Sequence, residues 1–271
     1  MSHSSSQLSQ QSNTAKAQNP DCVIELRNIS LQYSHELILS NINLKVEKGN
    51  KLVIIGPSGQ GKSSLLKIMS GIISPSQGEV FVEGKQLSTL KGLEQKKLYK
   101  KMGMLFQKNA LFDSLTVGEN IAFPLREAGH LSEDEIDQRV DYYLSEVGIA
   151  HAKNLFPDEM SGGMQKRLGI ARALALDPEI VFYDDPTAGL DPITSLHIIA
   201  LIKNLAEKNK STVVAITNDM NRAYQLADQI AMVVDTELLI TGNKEETLSC
   251  TEPRVHQFVR GSLTGPLTKN V

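Results

Sequence analysis

Nine consecutive residues, Gly56-Pro57-Ser58-Gly59-Gln60-Gly61-Lys62-Ser63-Ser64, constrain this chain more than any others. They follow the apolar run Leu52-Val53-Ile54-Ile55, which reads as a buried strand, and precede Leu65, Leu66, Ile68 and Met69, which read as the apolar side of a helix. Strand, glycine loop and helix together match the phosphate-binding pattern G-x-x-x-x-G-K-[ST] in the context that pattern needs. The residue types follow from the chemistry. Glycines let backbone N–H groups turn inward around phosphate oxygens, and the helix N-terminus adds partial positive charge there. Lys62 offers a point charge to the β- and γ-phosphates, and the Ser63 hydroxyl suits Mg²⁺. The stretch therefore predicts a nucleoside triphosphate site; the alternative, a glycine-rich surface turn, leaves the flanking strand and helix unexplained.

The rest of the chain alternates strand and helix patterns around this loop. Val23 to Tyr33 reads as a first strand, and Ile42, Leu44 and Val46 mark a second by their alternation. Gly78 to Gly84 reads as a strand between turns, and Met102 to Gln107 as a short apolar strand ending in a glutamine. Ser132-Glu133-Asp134-Glu135 is a capping box that opens a helix bearing Ile136, Val140, Tyr143, Leu144 and Val147 on one face. Ser161-Gly162-Gly163 starts a helix through Leu168, Ile170, Ala171 and Leu174, and Ile180 to Tyr183 is a buried strand that delivers Asp184 and Asp185. Asp191-Pro192 opens a helix with Leu196, Ile199, Ile202 and Leu205 in three-residue steps; Val213 to Ile216 and Ile230 to Val234 are further strands, the latter the last clear one. This alternation predicts an α/β fold with a mainly parallel, doubly wound core.

Composition narrows the class. At 271 residues, 41% hydrophobic and 22% charged, the chain suits a globular protein with a large core. A net charge of −3 gives no support for nucleic acid as a partner. Two cysteines, Cys22 and Cys250, show no metal-ligand spacing and no disulfide framework, which suits a reducing compartment. No apolar stretch approaches the roughly 20 residues a membrane span requires. The Ser- and Gln-rich residues 1–20 read as a disordered tail, 21–242 as the main domain with a helical insertion over about 110–160, and 243–271 as a C-terminal extension. The basic run Lys91, Lys96, Lys97, Lys100 and Lys101 reads as a solvated helix face, with anionic lipid contact as the alternative.

A phosphate loop upstream gives the Asp184-Asp185 pair its meaning. Asp184 at a strand end suits a carboxylate that holds hydrated Mg²⁺, and Asp185 stands where a general base would polarise water. Gly56 to Ser63, Gln107, Met160-Ser161-Gly162-Gly163-Met164-Gln165, Asp184-Asp185, Gly189-Leu190-Asp191-Pro192 and Asn218 occur in the order of the motifs of ABC-transporter ATPases, and the chain resembles that family from about Ile24 to Val234. The resemblance implies a phosphate-loop NTPase core with an N-terminal antiparallel β subdomain and an inserted helical subdomain. It also implies ATP and Mg²⁺ as ligands and a homodimer whose two sites each lie between one copy's phosphate loop and the other's Ser161-Gly162-Gly163. On its own that triplet is an N-cap with glycines, and its helix start is a ready anion site. By the same resemblance Tyr33 stacks on adenine, Gln107 reaches Mg²⁺ and relays nucleotide state, and Asp191 communicates across the dimer; alone, Tyr33 would be a core or edge tyrosine.

Two positions depart from the family pattern. Asp185 replaces the usual glutamate and is one methylene shorter; Asn218 replaces the usual histidine and can donate a hydrogen bond but carry no charge. A slow enzyme that uses ATP mainly as a structural clamp is therefore one alternative, and a different small-molecule cargo is another. The segments Met104 to Gln107, Ala110-Leu111-Phe112, Leu115-Thr116-Val117 and Glu119 to Glu127 resemble the ATPases that energise MCE-type lipid transporters, and Glu252 to Phe258 resembles the tail of the maintenance-of-lipid-asymmetry (Mla) group. That resemblance implies phospholipid movement between inner and outer membranes. The implied partners are an integral-membrane permease of the Mla type, an MCE-domain protein and a STAS-domain subunit, met at the cytoplasmic face of the inner membrane. Leu111, Phe112, Phe123 and Leu125 suit a permease docking groove or the core of the insertion. The tail around Phe258 suits a partner contact or packing on its own domain.

Overall fold

The structure, a computed structural model, describes residues 21–268, so the tail expected over 1–20 lies outside the described residues. Strand β1 (Cys22–Tyr33) pairs antiparallel with β2 (Glu36–Glu47), setting Leu26 opposite Leu44 and Ile29 opposite Ile42. After β3 (Lys51–Ile55) and α1 (Lys62–Met69), strands β4 (Gln77–Val82) and β5 (Lys85–Gln86) complete a four-stranded antiparallel sheet in the order β2-β1-β4-β5. Helix α2 (Gly92–Tyr99) leads into β6 (Met102–Leu105), and the helical insertion follows as α3 (Val117–Ala128) and α4 (Glu133–Glu146). Three strand–helix units close the main sheet: α5 (Gly162–Leu174) with β7 (Ile180–Asp184), α6 (Pro192–Asn209) with β8 (Thr212–Ile216), and α7 (Met220–Leu226) with β9 (Gln229–Val234). Strand β10 (Glu237–Gly242) and helices α8 (Lys244–Ser249) and α9 (Pro253–Arg260) end the chain.

The second sheet has the order β10-β9-β3-β8-β7-β6, parallel except for β10. Parallel strands covered on both faces need apolar side chains at every position, and every residue of β7 and β8 is buried. Alternate residues serve opposite faces. Val53 and Ile55 join the core under the helices, whereas Leu52 and Ile54 join the core between the sheets. Register then sets the site. Ile54 of β3 and Asp184 of β7 both pair with Ile216 of β8, so the loops after these three strands emerge together at one edge, the edge where ligands collect in such sheets.

Several sequence expectations are corrected here. The sheet does not end at β9: Asp235 and Thr236 turn the chain with φ of 49° and 67° into β10, a hairpin without the glycine that normally signals one. Leu196 is exposed on α6, and Ser195 and Ile198 are buried in its stead. Leu125 is fully buried, so the exposed apolar pair on the insertion is Phe112 and Phe123, whose ring centroids lie 4.8 Å apart. Lys101 leaves the solvated basic run and bonds Glu83 and Glu179 at 2.9 and 2.8 Å, joining the two sheets. The tail takes the second of its two readings, with Val255 and Phe258 of α9 packed against the domain's own core.

Buried Asn120 organises the insertion. Its Oδ1 accepts from the Phe112 N–H at 2.9 Å, and its Nδ2 lies within 3.1 Å of the Phe112, Leu115 and Thr116 carbonyls. Asn120→Leu keeps the branched outline, adds some bulk and strands these backbone groups, so it should destabilise the chain by about 3 kcal/mol. Urea unfolding followed by circular dichroism measures this, and a loss below about 1 kcal/mol would show that water replaces the amide.

Candidate nucleotide site

The phosphate loop folds as its glycines dictate. Gly56, Gly59 and Gly61 all have positive φ, at 137°, 80° and 91°. A β-carbon at Gly56 would lie 2.2 Å from the Val233 carbonyl oxygen, so only glycine lets the loop run this close to β9. Gly61 stands at the N-cap of α1 and supplies no capping side chain, which leaves the first helical N–H groups available to an anion. Gly56→Ala should therefore lose both fold stability and nucleotide binding. Gly59→Ala meets nothing within 4 Å and should cost only the ~1 kcal/mol of a left-handed β-carbon. Thermal unfolding with and without a fluorescent ATP analogue separates the two; equal behaviour would contradict this reading of the loop.

A cavity of about 400 Å³ gathers most of the expected residues. Ser58, Gly59, Gly61, Lys62, Ser63 and Ser64 line it from the loop, Asp184 and Asp185 from the end of β7, Asn218 from beyond β8, Gln107 from beyond β6, and Tyr33 from β1. Tyr33 is exposed rather than a core tyrosine, which leaves its ring face accessible. Lys62 is buried and donates to the Gly56 and Pro57 carbonyls at 2.8 and 2.7 Å. Burial pushes its pKa below the usual lysine range, while Asp185 and Asp184 pull it the other way. Ser63 donates through Oγ to Asp184 Oδ1 at 2.9 Å. Asp185 takes a left-handed φ of 48°, its N–H bonded to the Ile216 carbonyl at 3.1 Å. Burial raises its carboxyl above the ordinary range; Lys166 opposes that most, and Asp184 reinforces it. Asn218 Nδ2 reaches Ser58 Oγ at 3.5 Å.

Seven of the expected residues do not line the cavity; two of these, Gly56 and Pro57, serve the loop through the carbonyls that accept from Lys62. Gln60 turns its Oε1 to the Asp235 N–H at 2.9 Å, tying the loop to the β9–β10 turn. Ser161, Gly162, Gly163 and Asp191 lie outside the cavity. Ser161 caps α5 by accepting from the Met164 N–H at 3.3 Å. A β-carbon on Gly163 would meet Thr194 at 2.9 Å, so this glycine helix start packs against the first turn of α6, which Asp191 caps. Asp191 caps α6, accepting from Ile193 and Thr194 at 2.9 and 3.0 Å. Sequence reasoning also missed two cations on α5. Lys166 and Arg172 reach the loop that carries Gln107, and the helical spacing of Lys166 to buried Ile170 was the available signal.

A phosphate loop at a sheet edge, with paired carboxylates and a glycine-started helix turned away from its own cavity, defines a nucleotide-binding cassette. Residues 39–188 match the family described as ABC transporter, and the chain belongs to that family of ATPases. Among its relatives is the intermembrane phospholipid transport system ATP-binding protein MlaF of Haemophilus influenzae, 39% identical over 90% of this chain and 93% of that one. The protein of the same name from Escherichia coli K12 is 34% identical over 90% of this chain and 91% of its own length. A solved ATP-binding cassette, a dimer in a post-hydrolysis state bound to ADP and phosphate, superposes with a TM-score of 0.73 at 34% identity, covering 79% of this chain and 96% of that one.

Proposed function

We propose that two copies of this chain bind two ATP molecules at their shared face and hydrolyse them to drive an Mla-type phospholipid transporter. The observation that carries the reading is the split of the motif residues. The phosphate loop, Gln107, Asp184, Asp185 and Asn218 share one cavity, whereas Ser161, Gly162 and Gly163 lie outside it. A helix start with unpaired N–H groups suits a γ-phosphate, and a second copy turned head to tail would present its own to this cavity. Tyr33 stacks on the adenine, the loop and Lys62 hold the phosphates, and Asp191 communicates across the dimer from the start of α6, the helix whose Thr194 faces Gly163. Asp185 accepts the proton of the attacking water, and the Asn218 amide donates to the phosphoryl oxygens.

The donor set suits Mg²⁺, a hard cation that keeps several waters and takes few protein oxygens. Ser63, Asp184 and Gln107 would hold it, and once bound it neutralises charge developing on the transferred phosphoryl group. The phospholipid role rests on likeness to the two MlaF proteins over nine-tenths of the chain. By that likeness the partners are a Mla-type permease, an MCE-domain protein and a STAS-domain subunit at the cytoplasmic face of the inner membrane, with the Phe112–Phe123 pair as the permease contact. Affinity purification of the tagged chain from solubilised membranes tests this. Recovery of an MCE-domain protein with a permease is expected; a permease for an amino acid or another small solute in their place would overturn the lipid assignment.

A further inference from the structure

Lys166 is 3% exposed, deep in the domain on α5. Its ammonium donates to the backbone carbonyl of Gln107 at 2.6 Å. A charged amine at this depth is costly unless it is hydrogen-bonded, and a charge-assisted bond to a single carbonyl is strong and directional. From the same helix Arg172 donates to the Asn109 and Ala110 carbonyls, both at 2.8 Å. Asn109 and Ala110 take left-handed φ values of 59° and 52°, a conformation that persists only where the surroundings fix it. The loop after β6 is thus held to α5 at three carbonyls by two cations.

We propose that Lys166 is a positioning residue for hydrolysis: by fixing the Gln107 backbone to α5, it sets where the Gln107 side chain meets the nucleotide. The inference rests on the role given to Gln107 above and extends it. The bond goes to the main chain, so Lys166 constrains the loop without occupying the Gln107 amide, which lines the cavity. Because Ser161 caps the same helix, a shift of α5 toward a neighbouring copy carries Gln107 with it. Lysine suits this position better than arginine, since one compact ammonium serves one carbonyl, whereas a planar fork of five donors would need more.

A double-mutant cycle on the full chain tests this. Lys166→Met keeps the bulk and removes the donor; it should lower kcat about 100-fold, as a displacement near 1 Å does, with KM changed by less than about twofold. Gln107→Ala should lower kcat as well, and the double variant should be no slower than Gln107→Ala alone, within about twofold. A lysine that acts structurally, or through its charge on Asp185, would give multiplied losses, and that result would overturn the proposal while leaving the site reading intact. Native turnover by Gln107→Ala would instead refute the role of Gln107, and the proposal with it. If Lys166→Met does not fold, Lys166→Gln runs the same cycle: its amide is too short to reach the carbonyl, and a loss of about fivefold, equally non-additive, is expected.

Discussion

Lys62→Ala is expected to bring ATP hydrolysis to background, a loss on the order of a thousandfold or more. The lysine stands buried in the loop, bonded to the Gly56 and Pro57 carbonyls and flanked by the charges of Asp184 and Asp185. Alanine removes the buried positive charge proposed to meet the β- and γ-phosphates, and burial strengthens such a charge. It also leaves the buried Gly56 carbonyl and the half-buried Pro57 carbonyl without their donor, so nucleotide affinity should fall along with turnover. Phosphate release by the purified chain, with nucleotide binding measured in parallel, checks both. A native rate no higher than that of Lys62→Ala would mean that ATP acts as a clamp and not as a fuel.

Asp185→Asn should separate binding from chemistry. The two side chains have the same shape, but the amide cannot take a proton from water, and loss of a general base costs about 10²–10⁴-fold. Binding should survive, because the Asp185 backbone is fixed by its bond to Ile216 and the proposed phosphate contacts come from the loop. Asp185→Glu is the companion experiment. A longer carboxylate that restores or raises turnover would mean that the family's usual reach also works here. A fall would mean that Asn218, opposite at Ser58, and Asp185 are matched to one another. Unchanged turnover in Asp185→Asn would remove this carboxylate from the mechanism.

How far the sequence led depended on whether a feature is local. The phosphate loop, the capping box at Ser132 and the strands ending at Asp184 and Ile216 are set by neighbours in the chain, and all were legible. Three-residue steps on α6 were a poor guide. At about 100° per residue each step falls about 60° short of a full turn, so Leu196 and Leu205 end on opposite sides. The β9–β10 hairpin was hidden because Asp235-Thr236 adopts positive φ without glycine or asparagine. Lys166 was overlooked because its spacing to Ile170 places it on the buried stripe of α5 but says nothing of its partner, the Gln107 carbonyl 59 residues away. The gathering of Gln107, Asp184 and Asn218 is a property of strand order, which periodicity does not reveal. Ser161 and Asp191 lie outside the cavity as helix caps, and the role proposed for them needs a second copy that one chain does not contain.

That seam is where the account stands most exposed. Sedimentation equilibrium of Asp185→Asn, run with magnesium and ATP, measures it directly. Two chains and two nucleotides per particle are predicted, and Ser161→Arg in the same chain should abolish that state by filling the anion site at the start of α5. A single chain that holds its own ATP at full occupancy, indifferent to Ser161→Arg, would contradict the account.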